Sequence, residues 1–253
     1  MPTQFSVATW NLERPAVRSW KKLPAIRRQI ATVSADVWVL TETRRSISPG
    51  DGFQGVHSPP HPWRREDPDE RWVSIWSRWP TKDVRVRESF WAATALVDAG
   101  FGPIIVHGVV LPYRNEPSPN EELRVWAEFS KELLHQSGDW LALRRKYPTI
   151  PLVVAGDFNQ SLDGELWYGN ADTRRDLGVA LNGAGLCCVT TEDVVESGKL
   201  KSNHLVDHIC VSAEHSGNPD MDCWDPVDGD GVRMSDHPGV VVRLSAKRSP
   251  LTH

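Results

Sequence analysis

The chain has 253 residues, of which 40% are hydrophobic and 25% are charged, and its formal net charge at pH 7 is −4. This composition is ordinary for a globular protein with a substantial core. It excludes a strongly basic nucleic-acid binder, although a local basic groove remains compatible with it. No apolar run approaches the roughly 20 residues that a membrane-spanning helix requires.

Apolar segments with strand character recur along the chain, several of them β-branched and bounded by Gly, Pro or Asp. They cover residues 5–10, 37–41, 73–77, 92–97, 104–111, 150–155, 205–212 and 240–244. Many strands with few helices between them fit two packed sheets flanked by helices better than a doubly wound parallel sheet. We expect a single domain over residues 1–245, followed by a short tail at residues 246–253.

Helical patterns occur in three places. Apolar residues at positions 23, 26, 30 and 33 follow helical spacing. A capping box with proline at the first helical position, SPNE at residues 118–121, predicts the start of a second helix, with Trp126, Phe129 and Leu133 on its apolar side. A third helix is predicted over residues 173–184, ended by Gly183 or Gly185.

The cysteines and the N-terminal segment bear on the compartment. Cys187, Cys188, Cys210 and Cys223 show no CxxC spacing, so the sequence indicates neither a disulfide framework nor a zinc knuckle. Free thiols suit a reducing compartment. The opening segment MPTQFSVATWN lacks the basic region and apolar stretch of a signal peptide. The sequence therefore predicts a soluble, cytoplasmic protein.

The segment GDFN places two polar side chains at the end of an apolar strand. Residues two apart in a strand point to the same face, so Asp157 and Asn159 can project together, with Gly156 allowing close approach. The carboxylate can position water or a cation, and the amide can donate to a phosphoryl oxygen without adding negative charge. An Asx turn that closes the strand is the simpler alternative.

Other strand-like runs end in residues of the same type. ATWNLE supplies Asn11 and VWVLTET supplies Glu42, while HLVDHICVS offers Asp207 and MSDHPGVVV offers Asp236 and His237. Histidine is the usual general base, but it needs an orienting partner. Oxygen ligands with one histidine suit magnesium or manganese better than zinc or copper.

The HxxxH spacing of His204 and His208 would suggest zinc on a helix. Its β-branched setting favours a strand instead. Trp63, Trp72, Trp76 and Trp79 would suit a base-stacking platform, but large aromatic side chains more often serve packing.

In these stretches the sequence resembles the endonuclease/exonuclease/phosphatase superfamily, which includes deoxyribonucleases and apurinic-site endonucleases. The matching stretches are ATWNL, VLTET, WVSIWSRWP, VVAGDFNQ, LVDHI and MSDHPGVVV, in the family's order and across nearly the whole chain. The resemblance implies an α/β fold, a four-layer α/β sandwich of two packed, mostly antiparallel sheets flanked by helices. It also implies hydrolysis of phosphoester bonds with a divalent metal.

The resemblance further assigns a metal site. Glu42 would be the principal ligand of Mg²⁺ or Mn²⁺, with Asn11 beside it and Asp236 near the metal.

It assigns the catalytic groups as well. Asp157 would orient or deprotonate the attacking water, and Asn159 would contact the scissile phosphate. Asp207 would orient His237, which in the family is described either as the base or as a group that stabilises the phosphorane.

Two departures from the family pattern stand out. Glu13 lies near a position where one branch of repair nucleases has aspartate, which leaves a metal role for it open. Family members usually carry His or Tyr where the segment VHGVVLPYRN places Val110, and His107 is out of register. Valine cannot donate to a phosphate, so either the enzyme is slow on generic phosphodiesters or Tyr113 or Arg114, directly after this strand, contacts the substrate instead; capping of an exposed loop is the alternative for these two residues.

Three functions are compatible with these residues. The first is a metal-dependent phosphodiesterase or nuclease, a monomer that acts on a phosphoester such as a nucleic acid, with no membrane partner. The second is a phosphomonoesterase of a small phosphorylated molecule. The third is a catalytically silent binding module of the same fold.

Overall fold

The computed structural model describes residues 3–60, 67–116, 125–217 and 219–246, and it contains two six-stranded sheets and three α-helices within these ranges. The strands are β1 (Thr3–Asn11), β2 (Val37–Arg44), β3 (Gln54–His57), β4 (Glu70–Ser77), β5 (Thr81–Asp83), β6 (Ala92–Ala99), β7 (Gly102–Val110), β8 (Leu152–Asp157), β9 (Leu186–Cys188), β10 (Asp207–Ser212), β11 (Asp220–Trp224) and β12 (Gly239–Ala246). The helices are α1 (Lys22–Thr32), α2 (Ala127–Lys146) and α3 (Ala171–Gly183), with one 3₁₀ turn at Ala213–His215.

The sheets are mostly antiparallel, as expected. The first has the order β11-β12-β1-β2-β4-β3 and the second the order β5-β6-β7-β8-β10-β9. Each sheet has one parallel pair at its centre, β1 with β2 and β7 with β8. The ends of these central strands therefore lie in the middle of one edge, flanked by their neighbours.

Alternation along the strands produces the layers. In β1, Phe5 and Val7 pack into the core between the sheets, whereas Ala8 and Trp10 pack on the outer side with Ile26 of α1. In the second sheet, alternate residues of β7 and β8 pack outward against α2 and α3. The order of layers is thus α1, first sheet, second sheet, then α2 with α3. The predicted four-layer sandwich is confirmed.

The strands that the sequence did not reveal are β3, β5, β9 and β11, which are the four edges of the two sheets. They are short and carry exposed side chains, as in Thr81–Asp83 and Asp220–Trp224. An edge strand faces solvent along one side, so it needs no continuous apolar pattern. The predicted apolar segments are all strands of the structure, and the helical patterns at residues 23–33 and 173–184 fall on α1 and α3.

Two of the predicted features, the second helix start and the tryptophan platform, are only partly covered by the described residues. The capping box at residues 118–121 and Trp63 lie outside the described residues, although α2 does carry Phe129 and Leu133 on its buried side. Trp72 and Trp76 are buried, so they serve packing and do not form an exposed platform. Within the described ranges, no helix has the length and apolar character to cross a membrane.

Gly156 is required where β7 and β8 approach each other. Its φ is +141°, and an added Cβ would lie 2.0 Å from the carbonyl oxygen of Val109. A side chain there would both strain the backbone and push the strands apart, because the obstacle is backbone and cannot rotate away.

We expect Gly156→Ala to lower the free energy of unfolding by about 2–4 kcal/mol, from positive-φ strain and overpacking together. The matched control is Gly138→Ala in α2, where a Cβ meets nothing within 4 Å. There alanine should be neutral or stabilise by about 0.5–1 kcal/mol. Urea unfolding of both variants measures the difference, and equal stabilities would contradict the account.

Candidate active site

The central strands bring the acidic residues to one edge of the sandwich. Asn11 ends β1, Glu42 lies near the end of the parallel strand β2, and Asp157 ends β8. Asp207 begins β10, which runs antiparallel to β8 and places this residue opposite Asp157. His237 arrives at the same edge because it precedes β12, which runs antiparallel to β1. Residues far apart in sequence thus lie close together at one edge of the two packed sheets.

Asp157 is at the centre of a hydrogen-bond network between the sheets. Its Oδ2 accepts from the amide Nδ2 of Asn11 at 3.0 Å and of Asn159 at 3.1 Å, and its Oδ1 accepts from the backbone N–H of Asn159 at 2.9 Å. Asn11 Nδ2 also donates to Glu42 Oε1 at 3.3 Å. One amide therefore links a carboxylate of each sheet.

Asn159 is held in place by its own donors. Its Nδ2 donates to Asp157 and also to the carbonyl oxygen of Leu111 at 2.8 Å, and its φ of +48° is a left-handed conformation. Such backbone strain persists only where the surroundings fix it. Both amide hydrogens are engaged, so contact with a phosphate would replace one of these bonds.

His237 is oriented from two sides. Its Nδ1 donates to Asp207 Oδ2 at 2.6 Å, and its backbone N–H donates to Ser235 Oγ at 3.1 Å. Ser235 Oγ in turn donates to the carbonyl oxygen of Asn11 at 2.6 Å, which ties the turn before β12 to the end of β1. Nε2 lies 3.8 Å from Asp236 Oδ1 and is the ring nitrogen left to face a substrate.

Charge is concentrated in this buried space. Burial raises the pKa of Asp157; His237 opposes this rise, and Asp207 and Glu42 add to it. Burial also raises the pKa of Glu42, against the attraction of Arg14. For His237, burial lowers the pKa, but the carboxylates of Asp207 and Asp157 outweigh it and the net shift is upward. The carboxylates therefore gain from any positive charge placed among them.

The donor set fits a hard divalent cation. Ligand atoms of Asp157, Asp207 and His237 all lie within 4.8 Å of one another. Asp207 Oδ1 is buried and has no hydrogen-bond partner among the described residues, which a cation would supply. Glu42 lies across the Asn11 amide from Asp157, and oxygen-rich sets of this kind suit Mg²⁺ or Mn²⁺.

The three predicted metal ligands, Asn11, Glu42 and Asp236, differ in their exposure and in their hydrogen-bond partners. Glu42 lies within the network, and Asp236 lies beside His237 with its side chain 48% exposed. Asn11 turns its Nδ2 toward the carboxylates, while its Oδ1 accepts from the backbone N–H of Glu13 at 2.8 Å. Asn11 thus bridges carboxylates. The Glu13 side chain is paired with cations outside the network, Lys22 at 2.7 Å and Arg233 at 3.0 Å.

Arg14 is a residue of this site that the sequence did not reveal. Its Nε pairs with Glu42 Oε2 at 2.9 Å, and its guanidinium lies over the ring of Trp72 at 4.4 Å from the centroid. Arg14 and Glu42 both have a φ of +44°, so the two backbones are strained where they meet. No motif in the sequence distinguishes Arg14 from an ordinary surface arginine, because its partner lies on another strand.

Val110, which the sequence resemblance places where family members usually carry His or Tyr, lies next to Asp157 in the second sheet. Val110 pairs with Asp157 across β7 and β8, but its side chain is buried in the core between the sheets. Tyr113 and Arg114 are exposed beyond the end of β7. Arg114 lines a cavity of about 360 Å³. Trp167 and Tyr168 line both this cavity and the space next to His237.

That space is a second cavity of about 290 Å³, lined by Asn159, Trp167, Tyr168, His204, Asp236 and His237 among others. Trp167 and Tyr168 follow GDFNQS in the loop before α3, and sequence patterns did not single them out. An aromatic pair shortly after a polar strand end was the available signal in the sequence.

His204 and His208 do not form a joint site. His208 is buried on β10, where Nε2 approaches the carbonyl oxygen of Gln160 at 2.9 Å and Nδ1 approaches Thr190 Oγ1 at 3.0 Å. His204 precedes that strand and pairs with Asp163. The strand setting inferred from the sequence is confirmed.

Comparison with known proteins agrees with this architecture. The model of the Endonuclease/Exonuclease/phosphatase family matches residues 8–237. No curated protein sequence matches the chain.

Similar solved structures include an AP endonuclease from Archaeoglobus fulgidus, 16% identical with a TM-score of 0.67, covering 96% of this chain and 100% of that one. The 3′-5′ exonuclease NExo from Neisseria meningitidis is 18% identical with a TM-score of 0.66 over 96% and 100% of the two chains. The 3′ phosphatase NExo from Neisseria, bound to a product DNA hairpin, is 17% identical with a TM-score of 0.65 over the same shares. At these identities the likeness concerns the fold.

Fold and family match together define a class of protein, the enzymes that hydrolyse phosphoester bonds with the help of a divalent metal. Within that class the chain belongs to the Endonuclease/Exonuclease/phosphatase family, since the match runs from within β1 to the residue pair before β12.

The His237–Asp207 pair should act as one unit. His237→Ala and Asp207→Ala should each lower kcat by about a hundredfold or more, the usual contribution of a positioned acid–base group. The double variant should be little slower than either single variant, because the losses of paired groups do not multiply. Steady-state kinetics of the four proteins forms the cycle.

The control is the exposed ion pair between Arg243 and Asp220, 2.9 Å apart on the first sheet, whose alanine variants should keep full activity. Multiplicative losses at His237 and Asp207 would show that the two residues act independently.

Proposed function

We propose that this enzyme is a phosphodiesterase that acts on nucleic acid, with water attacking the phosphorus in line with the leaving oxygen. The observation that carries the proposal is the network that joins Glu42 and Asp157 through Asn11, beside an Asp207–His237 pair whose Nε2 is directed to the same opening. The fold neighbours support the choice of substrate, since one is an AP endonuclease and another was solved with a product DNA hairpin.

The metal in the proposal is Mg²⁺ or Mn²⁺. Glu42 would be the principal ligand, with Asp236 next to it, and Asn11 would keep Glu42 and Asp157 at the right separation. When bound, the cation supplies charge neutralisation on the phosphate oxygens and a lower pKa for water. The buried, partnerless oxygen of Asp207 supports a cation in this space.

The protein groups then divide the remaining work. Asp157 would orient or deprotonate the attacking water, because its oxygens are fixed by three hydrogen bonds. Asn159 would give one N–H to the scissile phosphate. His237, held by Asp207, would present Nε2 to the phosphate, either as a base or as a donor to the developing negative charge.

The donor that Val110 cannot supply would come from the segment after β7. Arg114 lines the cavity next to Tyr168 and has a planar fork that matches phosphate oxygens, and Tyr113 offers a hydroxyl nearby. A substrate strand that passes from His237 along Tyr168 would meet these side chains. The proposal includes a cytoplasmic monomer, one domain over residues 1–245 and no membrane partner.

The decisive experiment is a substrate panel of abasic duplex DNA, single-stranded DNA, RNA and a small aryl phosphomonoester, each assayed with Mg²⁺, with Mn²⁺ and with EDTA. We expect cleavage of a nucleic-acid phosphodiester, complete loss in EDTA and recovery with Mg²⁺ or Mn²⁺.

The control for contaminating nucleases is Asp157→Asn, which keeps the shape but removes the charge that positions water. It should fold normally and be inactive throughout. Cleavage of the monoester alone would overturn the phosphodiesterase proposal, and full activity in EDTA would overturn the metal.

Removal of Arg114 should weaken the enzyme on its best substrate. We expect Arg114→Ala to lower kcat/KM by about tenfold to a hundredfold, because one charged donor to the phosphate is lost. The matched control is Arg145→Ala, in the last turn of the 20-residue helix α2, whose first turn lies near Arg114.

Stopped assays at substrate concentrations below KM measure kcat/KM for both variants. If Arg114→Ala and Tyr113→Phe keep normal rates while Val110→His raises them, the proposed compensation is wrong.

A further inference from the structure

A second cluster of metal-ligating side chains lies outside the network described above. Asp163 follows GDFNQS in the loop before α3, and Asp193 and His204 lie in the connection between β9 and β10. Ligand atoms of the three side chains all lie within 4.8 Å of one another. His204 Nδ1 lies 2.8 Å from Asp163 Oδ2 and 4.0 Å from Asp193 Oδ1.

Asp163 gives the reason to regard this cluster as more than a hydrogen-bonded pair. Its side chain is only 3% exposed, and its Oδ2 accepts from both His204 Nδ1 and the indole N–H of Trp167 at 3.3 Å. Its other oxygen, Oδ1, is buried and has no partner among the described residues. A buried carboxylate oxygen without a donor or cation is costly, so native structures rarely leave one.

The carboxylate of Asp193 is fixed by hydrogen bonds from the backbone. Its Oδ1 accepts from the backbone N–H groups of Val195 and Glu196, both at 2.9 Å, so the carboxylate is fixed by the chain that follows it. A preordered carboxylate, a buried carboxylate with an unsatisfied oxygen and an imidazole therefore offer ligand atoms that lie within 4.8 Å of one another.

We propose that Asp163, Asp193 and His204 bind a divalent transition-metal ion, with Zn²⁺ the expected occupant. Two carboxylates and an imidazole give three protein ligands of the kind Zn²⁺ accepts, whereas Ca²⁺ takes six to eight oxygens and Mg²⁺ prefers oxygen ligands and water. With metal–ligand bonds of about 2.0 Å, tetrahedral ligand atoms lie roughly 3.3 Å apart. The separations of 2.8 and 4.0 Å bracket that value.

When the ion binds, the proton on the imidazole ring of His204 moves from Nδ1 to Nε2. In the metal-free state Nδ1–H donates to the Asp163 carboxylate, which can only accept. The ion takes the Nδ1 lone pair of the neutral ring, the ring proton is carried on Nε2, and a protonated ring would release its second proton to solvent. The hydrogen bond from Nδ1 to Asp163 is lost, the ion bonds to the Asp163 and Asp193 carboxylates, and the water ligands that these three groups replace return to solvent.

The position of this site gives it a consequence for the enzyme. His204 and Trp167 line the cavity that Asn159 and His237 also line. An ion at Asp163, Asp193 and His204 would fasten the loop before α3 to the connection before β10, and so fix one wall of that cavity. The inference does not depend on the proposed function, because it concerns binding by residues outside the catalytic network.

Isothermal titration with Zn²⁺ in excess Mg²⁺ tests the site, since Mg²⁺ competes for the oxygen-rich centre and leaves the imidazole site to Zn²⁺. The wild type should bind one Zn²⁺ per chain under these conditions. His204→Ala and Asp163→Asn should each weaken binding by at least about a hundredfold, since changes in outer-shell partners alone cost ten- to a hundredfold. The matched control, Asp230→Asn, alters a carboxylate whose side chain is 84% exposed and should bind as the wild type does.

Further arms assign the ion to its site. The Glu42→Gln/Asp157→Asn variant, altered in the catalytic network, should retain the Zn²⁺ site, and so should Cys187→Ser/Cys188→Ser. Zn²⁺ should raise the Tm of the wild type and leave that of His204→Ala unchanged, because only a ligand of the folded state stabilises it. A Tm of metal-free His204→Ala close to that of the metal-free wild type shows that the variant is folded, and Asp193→Asn serves in its place if it is not.

The inference is overturned if His204→Ala and Asp163→Asn bind Zn²⁺ as the wild type does. It is equally overturned if the wild type binds none, or if binding is lost in the catalytic or cysteine variants and retained in His204→Ala. The outcome of these binding experiments does not depend on the activities measured with the substrate panel. Failure of this metal site and failure of the proposed function can therefore be distinguished.

Discussion

The structure of the site depends on one neutral amide held between negative charges. Asn11 comes from the first sheet and donates from the same nitrogen to Glu42 at 3.3 Å and to Asp157, from the second sheet, at 3.0 Å. Carboxylates buried this closely repel each other, and a neutral donor is the group that can satisfy both without adding charge to the site. Several acidic residues can therefore lie close together at the open edge of the sandwich, where they are available as ligands for a cation. Arg14 supplies a positive charge beside Glu42, and the carboxylates of Asp207 and Asp157 raise the pKa of His237 and so favour its charged form.

The extent to which sequence predicts this fold follows from where each strand lies. Central strands are buried on both faces or alternate strictly, as β1 does with Val7 inward and Trp10 outward, so their pattern is visible in one dimension. Edge strands such as Asp220–Trp224 exist because a neighbour offers a ladder of hydrogen bonds. That neighbour is a fact of the tertiary structure, and no local pattern encodes it.

The same distinction separates the site residues. Asp157, Asn159, Asp207 and His237 stand in short motifs at strand ends, where a polar residue after an apolar run is conspicuous. Arg14 and Asp163 carry no such mark, because each matters only through a partner brought close by folding. The pairing of Asp163 with His204 joins residues 41 positions apart. In the sequence, His204 was conspicuous only through its spacing from His208, and that pair does not form a site because His208 is on β10 and His204 precedes it.

The first sheet is completed by β11 and β12, which come from a part of the sequence far from β1. β12 pairs with β1, and the hydrogen bond from Ser235 to the Asn11 carbonyl joins positions 224 residues apart. Contacts of such long range slow folding, because the chain must lose much of its entropy before they form. During synthesis, β1 has an unpaired edge until the C-terminal segment emerges, and His237 arrives with that segment. A chain that lacks residues 235–246 therefore lacks both the closing strand and His237, so the candidate site assembles only when this segment has paired with β1.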